Sequence, residues 1–196
     1  GFNHAEAARA FDGYMGRVFI EPDSNYTELT SSFSIEAWIY PTIGSYNHRV
    51  LATLGSDSNS GFGFGIAAQM LRLTLFGSQE FTLPTPGVPT NQWTHVAAVF
   101  DASFDVSFYI NGAFVGKLQG DTPAKPSDAR LVIGGFEGVG EQWWAGAIDE
   151  VALYSRTLSG GEIAAHYQAG LRTAAFNVLA NDSDADGNAL SAALET

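Results

Sequence analysis

A chain of 196 residues with 45% hydrophobic content is enough for one large domain with a substantial core, and too short for a second full domain beside it. A net charge of −12 with nine scattered Lys and Arg leaves no basic stripe for a phosphate backbone, which argues against nucleic acid as a partner. The absence of cysteine excludes a disulfide framework, a thiolate metal site and a cysteine nucleophile.

In chain order, Ala10-Phe11-Asp12-Gly13 leads to an apolar segment from Val18 to Pro22. Phe33, Ile35, Ala37 and Ile39 alternate onto one face of a predicted strand; Phe62, Phe64 and Ile66 do so on another, opposite the small residues Gly63, Gly65 and Ala67. Such small residues leave room for a ligand or for a large neighbouring side chain. Leu71, Leu73 and Leu75 mark a third strand, and Trp93 to Asp101 a fourth.

Asn111-Gly112 between residues 105–110 and 113–118 predicts a type I′ hairpin, because both central positions of that turn need positive φ. In residues 146–154, Val151 and Leu153 share one parity and Ile148 the other, so a bulge is expected at Asp149 and Glu150. Ser159-Gly160-Gly161-Glu162 is a capping box ahead of a short helix that Gly170 is placed to end. Many short strands, 22 glycines and one helix predict an all-β domain. The turn-rich loops at 44–48, 56–61, 84–91, 120–128 and 135–142 are candidate binding loops.

The segments 10–22, 33–41, 93–101, 108–112 and 146–159, in this order and spacing, resemble laminin-G-like domains of the concanavalin A-like lectin and glucanase type, from about Ala8 to Gly170. The resemblance implies a two-sheet antiparallel jelly-roll sandwich with one short helix near its C-terminus, in residues 1–170. It spans lectins, adhesion modules and enzyme appendages, so it does not by itself assign a function. Residues 171–196 form a linker or the start of another module; Phe176 to Leu190 resembles the opening of a bacterial cadherin-like repeat. No eighteen-residue apolar run is present, and the expected setting is a module of a larger secreted or cell-surface bacterial protein.

Two calcium sites are expected. Asp182, Asp184 and Asp186 before Gly187 reproduce the first, third, fifth and sixth positions of a calcium loop, although Ala193 stands where such a loop ends in Glu. The resemblance places a second, structural calcium between Asp12 and Asp149.

A sugar site needs exposed aromatic faces flanked by hydrogen-bonding side chains. Trp143 and Trp144 are adjacent, so on a strand they point to opposite faces. The resemblance puts Trp144 in the core, as it does Trp38, Trp93 and His95, which leaves Trp143 as the surface platform beside Glu137, Glu141 and Gln142. Tyr46, Asn47, His48 and Arg49 form a second polar and aromatic cluster in a predicted loop. Glu36, Trp38 and Tyr40 share a strand face that offers a secondary sugar surface. No carboxylate spacing of a retaining glycosidase, nucleophile elbow, zinc helix or phosphate loop occurs. The sequence therefore reads as a non-enzymatic carbohydrate-binding module with structural calcium, whose partners are a glycan and neighbouring domains of the same chain. The alternative is an adhesion or spacer domain making protein contacts.

Overall fold

The computed structural model describes residues 8–14, 16–44, 47–53, 59–84, 86–136 and 142–171. Twelve strands and two helices follow one another as β1 (Arg9–Asp12), β2 (Val18–Ile20), α1 (Ser24–Thr27), β3 (Phe33–Pro41), β4 (Asn47–Thr53), β5 (Phe62–Ala67), β6 (Met70–Leu75), β7 (Gln79–Thr82), β8 (Thr94–Phe100), β9 (Val106–Ile110), β10 (Ala113–Leu118), β11 (Leu131–Ile133), β12 (Ala145–Tyr154) and α2 (Gly160–Leu171). Among the described residues they form two antiparallel six-stranded sheets. Sheet A has the order β1-β12-β3-β8-β9-β10 and sheet B the order β2-β11-β4-β5-β6-β7. Consecutive hairpins run from β4 to β7 in sheet B and from β8 to β10 in sheet A, while the other connections cross between the sheets, which makes the sandwich a jelly roll.

The alternation seen in sequence fills the space between the sheets. Phe33, Ile35 and Ile39 from sheet A meet Phe62, Phe64, Ile66, Leu71 and Leu73 from sheet B, all within 1% of complete burial. Phe33 lies 4.8 Å from Phe62 and 5.2 Å from Phe100, ring centre to ring centre. Burying each such side chain contributes roughly 1.5–3 kcal/mol.

Three local expectations are met. Asn111 and Gly112 have φ of 51° and 75°, turning β9 into β10. The β12–β3 register shifts between Asp149 and Ala152, and Glu150 adopts φ of 48° at the bulge. Ser159 Oγ accepts from the Glu162 amide at 3.2 Å, and Glu162 Oε2 accepts from the Ser159 amide at 2.8 Å, so both halves of the capping box form.

The end of α2 differs from expectation. Gly170 lies inside the helix, and a Cβ there would come within 2.4 Å of the Trp38 indole nitrogen. The glycine is required by close approach to sheet A and does not act as a helix cap. The region 172–196, with its cadherin-like resemblance and Asp182, Asp184 and Asp186, lies outside the described residues, as do Tyr46, Glu137 and Glu141.

Candidate functional site: the outer face of sheet B

The two outer faces of the sandwich differ. On sheet A, Leu158 and Ile163 are buried against Ala97 and Val99, with Tyr109 and Tyr154 packed around them, so α2 is seated on this face. Trp38 stacks on Tyr167 at 5.6 Å and meets His95 edge-on at 5.5 Å. Glu36 Oε1 accepts from the Tyr154 hydroxyl at 2.7 Å and from His166 Nδ1 at 2.8 Å, while its other oxygen is 3.6 Å from His95 Nε2. Burial pushes the Glu36 carboxyl upward, but the contacts from His95 and Tyr154 and the charge of His166 outweigh it and hold the group below its ordinary value. Trp38 and His95 are structural, as expected, and Trp93 packs half-buried against Tyr40 at 5.7 Å. The secondary sugar surface at Glu36, Trp38 and Tyr40 is not available, because α2 covers Glu36 and Trp38 to 5% and 2% exposure.

Sheet B carries no helix on its outer face among the described residues. Here the loop expected to hold His48 and Arg49 is strand β4, and both side chains are buried. A bulge between Arg49 and Leu51 sorts them. His48 turns inward, edge-on to the fully buried Trp144 at 5.9 Å, and its Nδ1–H donates to the Trp143 carbonyl at 2.5 Å. It is therefore a core residue fastening the 142–144 segment, not a surface ligand.

Arg49 turns outward. Its Nε donates to Gln142 Oε1 at 2.6 Å and its Nη1 to the Gly63 carbonyl at 3.2 Å, and its guanidinium lies 5.7 Å from the centre of the Phe76 ring. Phe76 stacks on Phe136 at 4.8 Å above Ala52. The small residues of β5 are thus explained by packing: a Cβ on Gly63 would meet Phe76 at 3.0 Å and Arg49 at 3.4 Å. Burial, and then the neighbouring charge of Arg72, push the Arg49 pKa down to about 10. The guanidinium remains a cation at neutral pH.

Trp143 and Trp144 lie just before β12 and outside any strand, yet they still differ in burial as expected. Trp144 is fully buried, with its indole N–H donating to the Ala147 carbonyl at 3.2 Å. Trp143 is half-buried on the outside, its six-membered ring against Gly135 and the Arg17 guanidinium 5.1 Å from its centre. One ring face is therefore occupied by a cation, which changes the bare platform expected from sequence into an aromatic and cationic one. Arg17 and Arg130 both pack over Phe19, at 5.0 and 4.3 Å.

Arg17, Phe19, Arg72, Phe76, Arg130 and Phe136 are the residues of this face that sequence reasoning missed. For Arg72 a signal was present, since it has the opposite parity to Leu71, Leu73 and Leu75. The others are brought in by loops and by pairing between distant strands. Of the expected ligand residues, Gln142, Trp143 and Arg49 come together, Asn47 is exposed on the same strand as Arg49, and His48 is diverted to the core.

The expected calcium between Asp12 and Asp149 does not fit the strand register. Asp12 pairs with Ala145, and Asp149 lies four residues further along β12, about 13 Å at the usual strand rise. Asp12 Oδ1 accepts from the Tyr14 and Gly16 amides at 2.9 and 3.3 Å, and Asp149 Oδ1 from the Glu150 amide at 2.9 Å. Each carboxylate organises its own turn. Among the described residues no group of three or more His, Asp or Glu could hold a metal ion.

Residues 12–164 match the family model described as the concanavalin A-like lectin/glucanases superfamily. The chain belongs to this superfamily. No curated protein matches the sequence. Solved structures are similar in fold at low identity. A heptameric SAP-like pentraxin from Limulus polyphemus is 16% identical, with 81% of this chain and 80% of that chain covered and a TM-score of 0.60. Domain 4 of AbnA, a GH43 extracellular arabinanase from Geobacillus stearothermophilus, in complex with arabinotriose, is 20% identical over 81% and 75%, with a TM-score of 0.61. The IT-sialidase CBM40 of Ruminococcus gnavus, bound to α2,3 sialyllactose, is 16% identical over 82% and 97%, with a TM-score of 0.60.

Proposed function

We propose that the chain is a non-catalytic, lectin-like carbohydrate-binding module of a larger secreted or cell-surface bacterial protein, and that it takes glycan on the outer face of sheet B. The observation that carries this reading is the half-buried Trp143 beside the fixed Arg49–Gln142 pair, on the sandwich face that no described helix covers. An aromatic surface next to oriented donors and acceptors is what a sugar ring, apolar on one side and hydroxylated at its rim, requires. Two of the similar structures hold an arabinan oligosaccharide and a sialylated one, which places carbohydrate binding within reach of this fold.

The non-catalytic part of the reading rests on Glu36. It is the one buried carboxylate among the described residues, and it lies beneath α2 where a glycosidic bond has no access. Calcium enters through Asp182, Asp184 and Asp186, whose spacing suits a hard cation, within residues 171–196, a linker or the start of a further repeat. The test is affinity electrophoresis of the domain against a panel of soluble polysaccharides, in calcium and in chelator, with Trp143→Ala as control. Retardation by one glycan that Trp143→Ala abolishes supports the lectin reading. No retardation of a folded sample by any glycan overturns it in favour of an adhesion or spacer domain.

A further inference from the structure

Four of the nine basic residues, Arg17, Arg49, Arg72 and Arg130, belong to the outer face of sheet B in a chain whose net charge is −12. Elsewhere Lys117 contacts Asp101 and Asp105, Arg156 contacts Glu162, and Lys125 donates to the Gly77 carbonyl. On this face Glu80 pairs with Arg72 at 3.4 Å, whereas both hydrogen bonds of Arg49 end on neutral oxygens. Arg49 is only 3% exposed, so its charge has lost most of its water; the charge of Glu80 offsets part of that loss, but no described carboxylate hydrogen-bonds to it. A buried cation in that position is a standing cost that an incoming anion removes.

The strand register adds geometry. Arg49 pairs with Gly65 and Gly65 with Arg72, so the two arginines occupy one lateral row across β4, β5 and β6, separated by a residue without a side chain. Two strand spacings are about 10 Å, a gap that two long guanidinium side chains can close from both sides. A guanidinium fork matches the paired oxygens of a carboxylate or a sulfate ester. Arg17 and Arg130, held over Phe19, extend the positive surface toward Trp143 and are already ordered by the ring they pack on. That lowers the ordering cost of recognition.

We propose that the saccharide bound by this face is an acidic one, and that its oxyanion is read between Arg49 and Arg72. The inference rests on the glycan-binding reading and narrows its substrate class to sugars bearing a carboxylate or a sulfate.

The full chain is titrated with four probes: polygalacturonate, the same polymer fully methyl-esterified, dextran sulfate and neutral linear arabinan. The expected result is binding to polygalacturonate that esterification weakens at least tenfold and that added salt weakens further. Arg72→Gln, on the outer face with its side chain 15% exposed and outside the core between the sheets, is expected to weaken polygalacturonate binding at least tenfold, and the exposed Arg130→Gln two- to fivefold. Melting curves check that both variants remain folded. Binding to dextran sulfate but not to polygalacturonate supports the oxyanion and identifies it as sulfate. Binding to arabinan alone, indifferent to the arginine substitutions, overturns the acidic specificity and leaves glycan binding intact. Failure to bind any saccharide overturns both.

Discussion

Glu36 Oε1 and His166 Nδ1, 130 residues apart in the chain, meet at 2.8 Å and tie α2 to the outer face of sheet A. Tyr154 donates to the same oxygen, so one buried carboxylate joins β3, β12 and α2. Glu36→Ala strips the partner from Tyr154 and from the part-exposed His166 and leaves a buried gap beside His95. A loss of about 3 kcal/mol is expected, within the range for breaking a buried polar network. Urea unfolding measures it, and a loss below about 1 kcal/mol would mean the network adds little to the docking of α2.

The same contacts set an acid limit. Glu36 is held below its ordinary value of 4.5, and Glu162 is brought down to about 2 by the Arg156 side chain and the amide and hydroxyl of Ser159. Both pKa values are depressed in the folded state, so the stability they confer is present above 4.5 and is lost as pH falls toward 2. Thermal melts from pH 6 to pH 2 should show Tm falling below about 4.5, less steeply in Glu162→Gln. A flat profile across that range contradicts the assignment.

Gly170 touches the Trp38 indole where a Cβ would have 2.4 Å of space. Gly170→Ala is expected to destabilise by about 1–3 kcal/mol through overpacking, against the usual gain of alanine in a helix. The check is the sign of the change in denaturant midpoint together with a shift in tryptophan fluorescence, since stabilisation would show that α2 can slide away from sheet A.

Glu150 holds φ of 48° at the β12 bulge, a conformation that glycine adopts without steric cost. Glu150→Gly is therefore expected to be neutral or to stabilise by up to about 1 kcal/mol, and Glu150→Val to destabilise by roughly 1–3 kcal/mol. Equal effects of the two substitutions would indicate that the bulge relaxes freely.

The local features were legible because their causes are local. Asn111-Gly112 needs positive φ, Ser159 and Glu162 are three residues apart on one turn, and the parity break at Asp149 and Glu150 is visible within nine residues. The alternation of Phe62, Phe64 and Ile66 against Gly63 and Gly65 likewise fixed which side of β5 is core. The candidate site was legible only in part. Trp143 and Gln142 were recognised from their own chemistry, but the role of His48 turned on a bulge that moves it to the core, and Arg49 was recognised without the strand it stands on.

What the amino-acid sequence determined by itself is an all-β chain with its hairpin, its bulge, its capped helix and its apolar faces, because each follows from steric and hydrogen-bonding rules that act over a few residues. Only the tertiary structure decided which outer face α2 covers, that Asp12 and Asp149 stand apart, and that Arg17, Arg49, Arg72 and Arg130 gather on one surface. Those outcomes depend on pairings such as β4 with β11 and β1 with β12, between segments some 80 to 140 residues apart, and a register between distant strands leaves no mark on either strand alone.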